Sequence, residues 1–338
     1  MASLPLKRTD VEAPGLLSPE TLAVREKTRS VFNDAEWDVI ADTVDEILAL
    51  KKQRNAIILA HNYQTRDIYH CVADIVGDSL ALARKAAEAE ADVIVLCGVH
   101  FMAETAKILN PEKTVLIPDL KAGCSLAESI TAADVRALKA QYPGVPVVTY
   151  VNTSADVKAE CDVCCTSANA VEIVEALGVE RVILVPDEYL AKNVDAKTDV
   201  EIITFPGRCE VHELYKEEDI HNIRTRNPGT VILAHPECAP EVLNAADFSG
   251  STTGMADFVK REKPDSVALI TECSMSDNIR ADNPDTNFIM SCTMCPHMKR
   301  ITLDGVADSL RNMTHEVFVD SAISERARAS VQAMLDLS

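Results

Sequence analysis

The chain has 338 residues, 47% hydrophobic and 25% charged, which suits a folded protein of two or three α/β units. Its net charge of −20 offers no basic face to nucleic acid phosphates or to an anionic membrane. No stretch reaches the ~18 continuous apolar residues of a membrane span, and residues 1–20 lack the regions of a signal peptide, so a cytoplasmic protein is expected. Thiols there stay reduced, so the eleven cysteines read as metal-binding or catalytic rather than bridged.

Residues 1–30 carry Pro5, Pro14, Gly15 and Pro19 and read as a loose leader. Ile40, Val44, Ile47 and Leu48 then follow helical spacing and predict a helix over residues 33–52. Six short β-branched runs come next, at residues 56–60, 93–97, 145–151, 182–185, 231–234 and 267–270. Ala- and Glu-rich helical stretches separate them, the pattern of parallel sheets with crossover helices.

The runs repeat. Ile58-Leu59-Ala60-His61 returns as Ile232-Leu233-Ala234-His235, 174 positions later, with Val147-Val148-Thr149-Tyr150 between them. Hydroxyl-bearing helix starts recur at Ser79, Ser167 and Ser251-Thr252. Cys124, Cys209 and Cys295 are separated by 85 and 86 residues. A shared period of about 86 residues is too long for a solenoid. It predicts an α/β fold of three similar three-layer α/β/α domains with short parallel sheets, arranged with pseudo-threefold symmetry. The expected division is a leader at 1–30 and domains at 31–140, 141–225 and 226–338.

In parallel α/β units, function sits outside the carboxyl ends of the strands. Three equivalent loops can therefore point one cysteine each at a common centre. Cys295 precedes Pro296, as in the cysteine-proline ending of ferredoxin cluster runs. Three thiolates on a four-iron cluster leave one iron free to act as a Lewis acid. Against this stand buried cysteines that merely pack, and a zinc site from Cys161/Cys164 and Cys292/Cys295. The 128 residues between Cys164 and Cys292 disfavour zinc, and Cys71, Cys97, Cys238 and Cys273 read as packing. The strand ends add His61 and Tyr63, Tyr150 and Asn152, and His235 and Glu237. Helix starts present free N–H groups to carboxylates or phosphates, though plain capping is the commoner use of Ser and Thr.

These motifs resemble the quinolinate synthase family of NAD biosynthesis. The likeness is carried by GVHFMAETAKIL at 98–109, PDLKAGCSL at 118–126, TYVNTS at 149–154, CCTSANA at 164–170, VPDEYL at 185–190, PGRCEVH at 206–212, AHPEC at 234–238 and GSTTGM at 250–255. It implies a transferase that condenses iminoaspartate with dihydroxyacetone phosphate to quinolinate, releasing phosphate and water. It also implies coupling to an enzyme that supplies iminoaspartate, and one [4Fe-4S] cluster on Cys124, Cys209 and Cys295. Substrate contacts would come from His61, Tyr63, Ser79, Tyr150, Asn152, Ser167, His235, Glu237 and Thr252. Glu237, His235, Tyr63 and Tyr150 would move protons. Some relatives carry a CxxCxxC run ending at the cluster cysteine; here Ile289 holds its first position, which argues against a disulfide switch there. A cluster-dependent hydro-lyase and a non-catalytic iron or redox sensor are the rival readings.

Overall fold

A computed structural model describes residues 17–337. The leader expected at residues 1–30 falls partly outside these. Its remainder is not loose, because Pro19–Lys27 forms a helix capped by the Ser18 hydroxyl, which accepts the Thr21 N–H at 3.3 Å. The Thr21 hydroxyl donates to Asp45 at 2.6 Å, fastening this helix to the next, Asp34–Arg54. That second helix starts at a capping box made by Asn33 and Glu36 and ends at Asn55, whose φ of 47° is left-handed.

Twelve strands follow: β1 (Ala56–His61), β2 (Ile75–Gly77), β3 (Val93–Cys97), β4 (Thr114–Leu116), β5 (Val147–Tyr150), β6 (Val163–Cys165), β7 (Arg181–Val185), β8 (Glu201–Thr204), β9 (Val231–Ala234), β10 (Phe248–Ser249), β11 (Ser266–Ile270) and β12 (Asn287–Ile289). They make three four-stranded sheets, ordered β2-β1-β3-β4, β6-β5-β7-β8 and β10-β9-β11-β12. Every pairing within the sheets is parallel, and each sheet follows the same order. The three similar α/β units expected from the period are present. The six β-branched runs are the two central strands of each sheet; the edge strands span only two to four residues.

One device recurs at each first strand. Asp74, Asp162 and Asp247 precede the edge strands, and their carboxylates accept the N–H groups of Ile58, Val147 and Ile232 at 2.8, 2.8 and 2.7 Å. The same residues donate their own N–H groups to the carbonyls of Ile58, Val147 and Ile232 at 2.9, 3.0 and 2.8 Å. Each aspartate thus sets the register between first strand and edge strand.

The largest apolar core runs through all three sheets, taking in Leu59, Val148 and Leu233. After Ile301 the chain leaves the third sheet. Helix Leu303–Asn312 packs on Asp34–Arg54, and helix Ser321–Asp336 packs on β6 and on helices His100–Leu109 and Ala155–Lys158. Cys273 and Cys292 form a disulfide, with Cα atoms 4.6 Å apart. This corrects the reading of Cys273 as a packing thiol. No described helix is long and apolar enough to cross a membrane.

Burial rather than surface charge should hold the C-terminal helices. Leu310 is fully buried beside Asp34–Arg54, whereas Arg311 reaches Glu46 on the exposed face at 2.6 Å. In chemical denaturation, Leu310→Ala should cost about 2–5 kcal/mol and Glu46→Gln under about 1 kcal/mol. The reverse order would contradict this packing account.

Candidate active site

The first strands end at equivalent points. His61 and Tyr150 are the last residues of β1 and β5, and His235 follows β9. Two residues on stand Tyr63, Asn152 and Glu237. In units one and three the turn closes identically: Nδ1 of His61 accepts the Tyr63 N–H at 3.2 Å, and Nδ1 of His235 accepts the Glu237 N–H at 3.3 Å. A neutral ring accepting at Nδ1 carries its proton on Nε2. Nε2 of His235 lies 3.2 Å from the Ser167 hydroxyl.

These ends face one shared cavity. His61, Tyr63, Ser79, Tyr150, Asn152, Ser167, His235, Glu237, Thr252, Cys124, Cys209 and Cys295 all line it. Ser79 and Thr252 each open a helix, Ser79–Glu88 and Thr252–Glu262, capped by Asp78 and Ser251. The two caps bind each other, Ser251 donating to Asp78 at 2.8 Å. Ser167 departs from expectation. It sits in a turn before helix Ala170–Ala176, because Asn169 accepts from the Thr166 N–H at 2.7 Å and hydroxyl at 3.0 Å and delays the helix.

Glu237 is 4% exposed, and both of its oxygens are held. Tyr150 and Asn152 donate to Oε1 at 2.6 and 3.3 Å, while Nδ1 of His212 lies 2.7 Å from Oε2. Nε2 of His212 meets the Thr271 hydroxyl at 2.9 Å, and Thr271 also bonds the Tyr63 hydroxyl. A continuous chain thus runs Tyr63–Thr271–His212–Glu237–Tyr150. Burial alone would raise the Glu237 carboxyl, but His212 and the hydrogen bonds from His212 and Tyr150 outweigh it and hold the group well below the usual range. Burial pushes both tyrosines well above 10, so they stay protonated donors.

The cysteines stand on equivalent loops, each just ahead of a short helical turn. Backbone N–H groups of the second and third residues on, Leu126 and Ala127 for Cys124, Val211 and His212 for Cys209, and His297 and Met298 for Cys295, pull each thiol down against the larger effect of burial. Burial pushes Cys124 up to about 12 and raises Cys209 and Cys295 as well. Such thiols do not ionise alone, and a pair of N–H donors suits a thiolate better than a thiol. This donor set fits a metal-bound trio. Close approach matters too, since a Cβ on Gly207 would lie 2.5 Å from the Pro186 carbonyl oxygen. Cys209 also belongs to a group that could hold a single metal ion: ligand atoms of Cys209, His212 and Glu237 all lie within 4.8 Å of one another.

Residues 45–336 match the family described as "Quinolinate synthetase A protein". The chain belongs to that family. It is 60% identical over 319 residues to "Quinolinate synthase 2" of Mesorhizobium japonicum, covering 94% of this chain and 98% of that one. It is 62% identical over 312 residues to the quinolinate synthase of Agrobacterium fabrum, covering 92% and 90%. It is 57% identical over 331 residues to the quinolinate synthase of Caulobacter vibrioides, covering 96% and 90%.

Within this member of the quinolinate synthetase A family, sequence reasoning passed over His212, Thr271 and Asp78. His212 stood in PGRCEVH three residues after Cys209, a spacing that could have flagged it. Thr271 carries no local signal, for its partners come from units one and two.

Burial pushes His61 down to about 4 and His235 down to about 3, against 6.5 for a free ring. The unfolded chain then binds protons near pH 6.5 that the folded protein refuses. The stability contributed is present above pH 6.5 and lost as pH falls towards 4. Between pH 7 and pH 5 each ring should cost about 2 kcal/mol, and His61→Asn should flatten that slope in denaturation curves. An unchanged slope in the variant would contradict a neutral buried His61.

Proposed function

We propose that this chain is a quinolinate synthase that condenses iminoaspartate with dihydroxyacetone phosphate to quinolinate, releasing phosphate and water, in the NAD biosynthesis of the cytoplasm. The observation that carries this reading is one cavity whose wall holds a cysteine from each repeat and also a buried, ionised carboxylate. The names of the relatives support it.

Cys124, Cys209 and Cys295 would hold one [4Fe-4S] cluster, whose open iron supplies a Lewis acid for a departing hydroxyl. The remaining work falls to side chains. Ser79 and Thr252, at helix starts with free N–H groups, suit the carboxylates and phosphate of the substrates. His61 and His235, neutral and protonated at Nε2, donate hydrogen bonds without adding charge. Glu237, ionised and held at both oxygens, accepts a proton from the substrate. Tyr150 and Tyr63 stand at the two ends of its chain and donate protons to developing oxyanions. The buried walls keep water from the imine.

Each of Cys124→Ser, Cys209→Ser and Cys295→Ser should abolish both the brown colour and quinolinate formation after anaerobic reconstitution, while Cys165→Ser keeps both. A colourless Cys165→Ser protein beside a fully loaded Cys209→Ser protein would sink the assignment. The overlapping group at Cys209, His212 and Glu237 favours a second reading, a single metal ion there. Such an ion would survive Cys124→Ser and be lost in His212→Ala. A hydro-lyase would instead turn over without dihydroxyacetone phosphate.

Glu237→Gln keeps the shape of the side chain but cannot accept a proton. Quinolinate formation should fall about 10²–10⁴-fold with the cluster absorbance intact. Near-normal turnover, or loss of the cluster, would remove Glu237 from the role of base.

A further inference from the structure

Lys158 is the one fully buried lysine among the described residues, at 0% exposure. Taking an ammonium out of water costs several kcal/mol unless partners compensate. No carboxylate pairs with it among the described residues. Its Nζ instead donates to the Val151 carbonyl at 2.8 Å and to the Thr153 carbonyl, and it lies 5.4 Å from the centre of the Phe101 ring, part of the cavity wall. These two carbonyls flank Asn152. Its amide nitrogen donates to Glu237 Oε1 at 3.3 Å, and its buried Oδ1 has no hydrogen-bond partner. The Lys158 carbonyl in turn accepts the Ser330 hydroxyl at 2.9 Å, so the C-terminal helix braces the same point.

We infer that Lys158 is a positioning residue of the active site, its ammonium clamping the carbonyls on either side of Asn152. The clamp keeps the Asn152 amide on Glu237 and leaves Oδ1 as an acceptor for an N–H or O–H of the substrate. A loop of two or three residues has little of its own to fix such an orientation. Two charge-assisted hydrogen bonds on neighbouring carbonyls do so, and misplacement by about 1 Å is enough to lose about 10²-fold in rate. The catalytic part of this inference rests on the proposed quinolinate synthase reading.

The test is a double-mutant cycle on the reconstituted enzyme with Lys158→Met and Asn152→Ala. Each single variant should lose about tenfold or more in kcat/KM while keeping its cluster absorbance, and the double variant should lose no more than Asn152→Ala alone. Multiplying losses, or wild-type rates in Lys158→Met, would overturn the clamp. If Lys158→Met does not fold, Lys158→Gln takes its place in the cycle, and failure of both to fold would assign Lys158 to folding and overturn the inference. A second readout is independent of the reaction: the side-chain amide NMR signal of Asn152, assigned by its loss in Asn152→Ala, should move in the Lys158 variant. An unmoved signal overturns the clamp even if the protein makes quinolinate. A protein that makes none, yet shows the shift, keeps the clamp and loses the functional reading.

Discussion

Four short parallel strands form a sheet too small to bury its own apolar faces, and this limit shapes the molecule. Three such sheets, with the same strand order, share one core through Leu59, Val148 and Leu233. Once they share it, the carboxyl ends of their first strands face common ground. A residue at the end of β1 then meets its counterparts from β5 and β9. The loops bearing Cys124, Cys209 and Cys295 also reach one cavity, although 171 residues (295 − 124) separate the outer two. The C-terminal helices cross back onto the first two units.

Within that cavity a carboxylate is kept ionised without water. Glu237 achieves this through three partners from the second repeat, Tyr150 and Asn152 on one oxygen and His212 on the other. His61 and His235 are held neutral by burial, so they add no positive charge beside Glu237. The thiols opposite are silenced by the same burial. A cation bound at these sulfurs would stabilise the thiolate charge that burial opposes. Exclusion of water therefore keeps the tyrosines and thiols protonated, while Glu237 is ionised against it by its partners.

Much of this was legible in the chain itself, for definable reasons. Central strands are buried on both faces and so read as β-branched runs, as in residues 93–97. Edge strands such as Thr114–Leu116 were missed because three residues carry no period. The repeat brought out twelve of the residues that line the cavity, since an 86-residue register survives in their spacing. The network behind them left no such trace. Thr271 meets His212 and Tyr63 only once three units have packed, and Lys158 looks like any lysine on an exposed helix until its burial is seen. Ser167 was misplaced by a local hydrogen bond from Thr166 to Asn169. The Cys273–Cys292 pair went unseen because composition and compartment argue for free thiols, and pairing depends on the parallel approach of Glu272 and Thr293.

The central claim is that three repeats bring three thiols together for one cluster. Counting iron and acid-labile sulfide per chain after anaerobic reconstitution tests it most directly. The account predicts about four of each per chain. A single metal ion without sulfide, seated on Cys209, His212 and Glu237, would contradict it.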